Sequence, residues 1–184
     1  MTELSLNILD IAQNSVKAKA SRIEITVDEY TALDRFTIVI TDNGCGMSEE
    51  MQKTVLDPFT TTRKTRKIGL GLPLFKQAAE QTGGHLELKS KEGEGTAVTA
   101  VFSHSSIDRM PLGDIAGTIT TLIQGSPEIE YVFCYIYNGR RFTLSTVEIR
   151  KTLGSVPIDS PEVLLWLSEY INENIAAMQG GGES

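Results

Sequence analysis

Asp42-Asn43-Gly44-Cys45-Gly46-Met47 follows directly on Phe36-Thr37-Ile38-Val39-Ile40, a short apolar run that reads as a strand. A carboxylate at a strand end, followed by two closely spaced glycines, suits one kind of ligand. The glycines let the backbone turn and approach a flat ring, and Asp42 can accept a hydrogen bond from an exocyclic amine. The same residues would also make an ordinary Asp-Asn-Gly turn. The flanking chain has to decide between the two.

Upstream, Leu6, Leu9, Ala12, Val16 and Ala20 recur at helical spacing, which predicts a helix over 4–19. Its Asp10, Asn14 and Lys17, four and then three residues apart, share one face. A carboxylate, an amide and an ammonium in one stripe suit a hydrated metal–phosphate complex. The Asn14 amide oxygen can ligate Mg²⁺. Asp10 can orient or deprotonate a water, and Lys17 can offset phosphate charge. Taken alone, the stripe reads first as the solvated face of an amphipathic helix, because polar stripes are ordinary. Ile23-Glu24-Ile25-Thr26-Val27 alternates as a strand should, and Glu29 to Asp34 reads as a polar turn.

Downstream, Ser48-Glu49-Glu50 resembles a helix start, with a capping serine and acids in the first turn. Residues 57–67 read as a loop, and Gly69 to Gln81 as a helix carrying Leu72, Phe75 and Ala79, ended by Gly83-Gly84. Gly69-Leu70-Gly71-Leu72 would present backbone N–H groups and the helix dipole to an anion. Thr60-Thr61-Thr62-Arg63-Lys64-Thr65-Arg66-Lys67, just upstream, could close over the same phosphates or be a solvated loop. Neither a P-loop nor a Rossmann fingerprint is present. Leu86 and Leu88 mark a third strand. Gly93-Glu94-Gly95-Thr96 turns into a fourth, with Val98, Ala100 and Phe102 on one face.

The pattern restarts after residues 103–110, which divides the chain into 1–104 and a smaller region, 105–184. The second region reads as a helix over 111–124, a hairpin of 130–137 and 140–147 about Asn138-Gly139, and a helix over 161–178 bearing Val163, Leu164, Leu167, Tyr170 and Ile171. Trp166 and Tyr170 read as core.

Composition narrows the function. With 184 residues, of which 40% are hydrophobic, the chain can bury a core and is not a disordered segment. A formal net charge of −7 argues against free DNA or RNA as partner, though not against a small polyanion in a local basic pocket. Cys45 and Cys134 have neither metal-ligand spacing nor a disulfide framework, so reduced thiols in a cytoplasmic protein are expected. The first nine residues lack the pattern of a secretory leader, and no run of about 18 apolar residues predicts a membrane span.

In order and spacing, the four elements resemble the GHKL ATP-binding domain, shared by histidine kinases, DNA gyrase and the MutL mismatch-repair protein. Asp10 to Ala18 looks like its asparagine box, and Asp42 to Gly46 like its first glycine box. Asp57-Pro58-Phe59 looks like the phenylalanine box of histidine kinases, Gly69 to Leu72 like the second glycine box, and Gly93 to Thr96 like the last glycine-threonine motif. The resemblance spans roughly residues 4–103.

It implies an α+β fold: a two-layer sandwich of helices on one face of a mixed sheet, followed by the small C-terminal α/β region. It implies ATP and Mg²⁺ as ligands. Asn14 would coordinate Mg²⁺. Asp42 would bind the adenine amine, with Gly44 and Gly46 lining the base and Thr96 beside it. Gly69, Leu70, Gly71 and Leu72 would contact phosphates. Residues 60–68, including Thr60, Thr61, Thr62 and Lys64, would form a lid, and Lys17 would stand near the phosphates.

One departure concerns Asp10, where many members carry glutamate as general base. Aspartate is one methylene shorter, so hydrolysis is expected to be slow or absent while binding persists. Another concerns histidine. Three residues precede the first helix, and His85 and His104 fall at strand ends, so a self-contained histidine kinase is not expected. Two functions remain. One is an ATPase or protein kinase resembling the anti-sigma-factor serine kinases. The other is a non-catalytic switch whose lid, ordered by ATP, exposes or hides a partner surface. The layout also resembles loosely the small ATP-binding proteins encoded beside bacterial iron-hydrogenase and redox-complex genes. The partner expected is a redox or transcription regulator, docking on 105–184 or alongside a second copy of the chain in a homodimer.

Overall fold

The computed structural model describes residues 3–57 and 71–180. Helix α1 spans Leu4–Lys17, strand β1 Arg22–Tyr30 and strand β2 Arg35–Asp42. Helices α2 (Glu49–Val55) and α3 (Gly71–Gln81) precede β3 (His85–Lys91) and β4 (Gly95–Ser103). The remainder holds α4 (Ile115–Gly125), β5 (Glu130–Tyr137), β6 (Arg140–Ser145), α5 (Thr146–Leu153) and α6 (Pro161–Gly180).

Six strands make one sheet in the order β3-β4-β2-β1-β5-β6. Every neighbouring pair is antiparallel except β1 and β5, so the sheet is mixed. Alternation puts Ile23, Ile25 and Val27 of β1 beside Phe36, Ile38 and Ile40 of β2 and Val98, Ala100 and Phe102 of β4, all buried on one face. Leu4, Ile8, Ile11 and Ala12 of α1, with Leu72, Phe75 and Ala79 of α3, complete that core. Tyr131, Phe133 and Tyr135 carry it across β5. Threonines on the reverse face, such as Thr26, Thr37 and Thr99, stay half exposed. The fold is the two-layer α+β arrangement expected of a GHKL domain.

Past residue 104 the chain returns to the sheet it has just left. Asp34, in the left-handed conformation with φ of 51°, gathers the crossing. Its Oδ2 accepts from Ser103 Oγ at 2.7 Å, its Oδ1 from Ser105 N at 2.7 Å, and its carbonyl from His104 N. The amides of Leu4 and Ser5 then donate to the carbonyls of Pro111 and Leu112. β5 pairs in parallel with β1, starting at Arg22 and Glu130. The helix, hairpin and final helix read for 105–184 are present, and the hairpin is built onto the edge of the first region's sheet.

Past residue 104, three local expectations change. Residues 111–114 are not helical: two of their carbonyls are committed to α1, and the helix starts only after Asp114, whose Oδ1 accepts from Gly117 N at 2.9 Å. Residues 146–147 leave the hairpin to begin α5. The Thr146 hydroxyl accepts from Tyr131 N at 2.9 Å, which ends the ladder with a side chain. Trp166 is not core, being 48% exposed. Among the described residues, no helix is long and apolar enough to cross a membrane.

Candidate nucleotide site

Strand β2 ends at Asp42, opposite Thr96 of β4 in the antiparallel register. Helix α1 lies over this end of the sheet. Between them is a cavity of about 230 Å³ with a floor of Ile40 and Val98 and walls that include Ile11, Met47, Met51 and Leu72. Asn14, Ser15, Lys17, Asp42 and Thr96 bring polar groups to this apolar slot. A flat apolar slot with a few fixed polar groups is suited to an aromatic base.

Asp42 is held from two sides. Its Oδ2 accepts from Ser15 Oγ at 2.5 Å, and its Oδ1 from the backbone N–H of Gly44 at 2.8 Å. Each carboxylate oxygen has a second lone pair, so the oriented group can still accept from a ligand amine. Thr96 Oγ1 lies 2.8 Å from Ser90 Oγ. Ser90 Oγ accepts from Met47 N, and Gln52 Nε2 donates to the carbonyls of Met47 and Ser90, each at 2.9 Å. The loop after β2 is thereby tied to β3.

Gly46 carries the tightest constraint on this loop. Its φ is +71°, and a Cβ there would lie 2.1 Å from the Lys91 carbonyl oxygen. The backbone therefore passes closer to β3 than any side chain would allow. Gly71, the first residue of α3, faces Asp10: a Cβ on Gly71 would lie 2.3 Å from Asp10 Oδ2. A carboxylate on α1 thus reaches the start of a helix, where backbone N–H groups favour anions. Lys17, exposed in the last turn of α1, lines the cavity from the other end.

The structure brings together Asp10, Asn14, Lys17, Asp42, Gly44, Gly46, Gly71, Leu72 and Thr96 around α1 and the end of β2. The expected phosphate and lid residues Thr60, Thr61, Thr62, Lys64, Gly69 and Leu70 lie outside the described residues, as does the rest of the 60–68 lid. Ser15, Ser90 and Gln52 also belong to the site, though no motif in the sequence singles them out. Ser15 left a signal, since it is a hydroxyl continuing the buried stripe Ile8, Ile11, Ala12. Ser90 and Gln52 left none, because their roles depend on the register of β3 against β4 and on how α2 packs.

Comparison with known proteins bears on this arrangement. Residues 2–106 match the model of the histidine kinase-, DNA gyrase B-, and HSP90-like ATPase family. The signal transduction histidine-protein kinase AtoS of Escherichia coli strain K12 is 35% identical over 96 residues, covering 52% of this chain and 16% of that protein. The sensor histidine kinase YkoH of Bacillus subtilis strain 168 is 35% identical over 101 residues, covering 52% of this chain and 22% of that protein. The chain therefore spans less than a quarter of the length of these curated relatives. Among solved structures, the ATPase domain of Aquifex aeolicus MutL complexed with ADP superposes with a TM-score of 0.50 at 17% identity, over 78% of this chain and 64% of that one, a likeness of fold. With the family model covering more than half of its length, the chain belongs to the histidine kinase-, DNA gyrase B-, and HSP90-like ATPases, the GHKL superfamily of ATP-binding domains.

Proposed function

We propose that the chain is a regulatory protein that binds Mg-ATP in the cavity between α1 and the end of β2, and either hydrolyses it or transfers its terminal phosphate to a partner protein. The observation that carries this reading is the oriented Asp42 carboxylate at the end of β2 beside the glycine loop, with Asp10 of α1 reaching the start of α3. Asp42 would accept from the adenine amine, and Thr96 would lie alongside it.

The residues fit the cation as well as the base. The Asn14 amide oxygen is a hard ligand of the type Mg²⁺ takes, and phosphate oxygens and waters would complete the set. When bound, the cation would draw charge from the phosphates. Lys17 would add a fixed positive charge, and Asp10 would orient a water or an acceptor hydroxyl and take its proton. A cytoplasmic setting is part of this proposal.

The test follows the terminal phosphate of γ-labelled Mg-ATP, with Asn14→Ala and Asp10→Asn as controls. Release, or transfer to a supplied protein, that both substitutions abolish supports catalysis. A second reading, a switch that binds ATP without consuming it, is favoured by the short Asp10 side chain. Tight binding with the label intact and ATP-dependent partner affinity would support it. Equal partner affinity with and without ATP would exclude it.

A further inference from the structure

Helix α6 lines no part of the nucleotide cavity, and its outer face carries large exposed apolar side chains. Val163, Leu167 and Ile171 bury its inner face, and Leu164, Tyr170, Ile175 and Met178 pack against the same core. The outer face would normally be polar. Instead Leu165 is 63% exposed and Trp166 is 48% exposed. The Trp166 ring stacks on Tyr170 with centroids 4.9 Å apart and planes 9° apart, and Tyr170 meets Phe142 edge-on. The indole therefore has one face supported by the fold and the other open to solvent, a pre-set rigid anchor of the kind that dominates protein interfaces.

The surrounding charge says what would cover it. Glu162, Glu169 and Glu173 stand four residues before, three after and seven after Trp166, so all three share its side of the helix, and all are exposed. The helix carries no lysine or arginine in its 20 residues. A second copy docking by the same face would bring two acidic rows together. We propose that this face of α6 is a docking surface for a basic amphipathic segment of a partner protein, with an apolar side chain seated on Trp166 and lysine or arginine meeting the three glutamates.

Trp166 is the chain's one tryptophan, so its emission reports on the surface directly. The probe is a labelled helical leucine/lysine peptide with its leucines on one face. It is compared with a scrambled peptide of the same composition and with a leucine/glutamate counterpart. Binding of the first peptide with a blue shift of Trp166 emission is expected. Trp166→Ala should weaken that binding, read from anisotropy of the label, by about tenfold or more. Glu169→Lys with Glu173→Lys should weaken it comparably while leaving the indole in place, which guards against a fold defect in the first variant. ATP binding by both variants should equal the unsubstituted protein, so failure here is separable from failure of the nucleotide reading. Equal binding of the scrambled or glutamate peptide, no binding at all, or self-association abolished by Trp166→Ala would each overturn the proposal.

Discussion

The Ser15 hydroxyl donates to Asp42 Oδ2 at 2.5 Å, joining the buried stripe of α1 to the end of β2. The bond runs between side chains 27 positions apart and sets the plane of the Asp42 carboxylate, with Gly44 N holding the other oxygen. Asp42 therefore meets a ligand already aimed. Ser15→Ala should weaken nucleotide binding by about 3- to 10-fold, the value of one ordinary hydrogen bond. Asp42→Asn, which removes the charge and one acceptor, should cost about 10- to 100-fold. Titration calorimetry with ATP reads both. Equal affinities for Ser15→Ala and the unsubstituted protein would mean that Ser15 merely fills space.

Asp10 and Gly71 form a second pair. Because a Cβ on Gly71 would fall 2.3 Å from Asp10 Oδ2, Gly71→Ala must displace that carboxylate. A shift of about 1 Å at a catalytic group costs about 10²-fold in rate. Gly71→Ala should therefore slow single-turnover release of the γ-phosphate far more than it weakens ATP binding. Asp10→Asn should remove about 10²- to 10⁴-fold while leaving affinity nearly unchanged. Turnover that survives both substitutions would assign the proton transfer to another group.

These pairs mark how far the sequence could be read. Asp10, Asn14 and Lys17 were legible as a stripe because helical spacing alone aligns them. Asp42 and its glycines were legible because a strand ends there. Partnerships across elements were not: Ser15 with Asp42, and Ser90 with Thr96 and Met47, exist only once register and helix packing are fixed. The same limit explains the hairpin of 105–184. Its Asn138-Gly139 turn was plain, and both residues take positive φ, yet no local pattern tells that β5 would pair with β1 rather than found a separate sheet. Trp166 misled for the opposite reason. Tyr170 packs inward at helical spacing, and a neighbouring aromatic was read as its companion in the core, whereas it lies just past the edge of the buried stripe.

The two thiols should differ sharply in reactivity. Cys45 is exposed in the cavity wall and Cys134 is 6% exposed beneath Arg141 and Thr143. Iodoacetamide should modify Cys45 first, ATP should slow that reaction, and the alkylated protein should bind ATP poorly. Cys134 should label only as the fold opens. Mass spectrometry of digests at timed quenches resolves the two. Labelling of Cys45 indifferent to ATP would remove it from the nucleotide's surroundings.

The fold should lose stability on the alkaline side through two buried tyrosines. Burial pushes the Tyr131 hydroxyl up to about 12, with the nearby Glu128 charge adding to it. That hydroxyl shares its one proton between the carbonyls of Leu122 at 2.9 Å and Ser126 at 3.2 Å, fastening α4 to β5. Tyr135 is raised further, by burial first and then by Glu29, to whose Oε2 its hydroxyl donates while Gln179 Nε2 donates to the same hydroxyl at 2.8 Å. Both groups are raised above the unfolded value of about 10, so their contribution is complete below that pH. Above it the unfolded chain releases protons that the folded chain retains, and stability falls, for Tyr131 until about pH 12. Urea midpoints measured at steps from pH 8 upward should hold and then decline past about 10. Tyr131→Phe should start lower, having lost its bonds to α4, and should decline less steeply. An alkaline limb of unchanged slope in both Tyr131→Phe and Tyr135→Phe would show that the lost protons come from other groups.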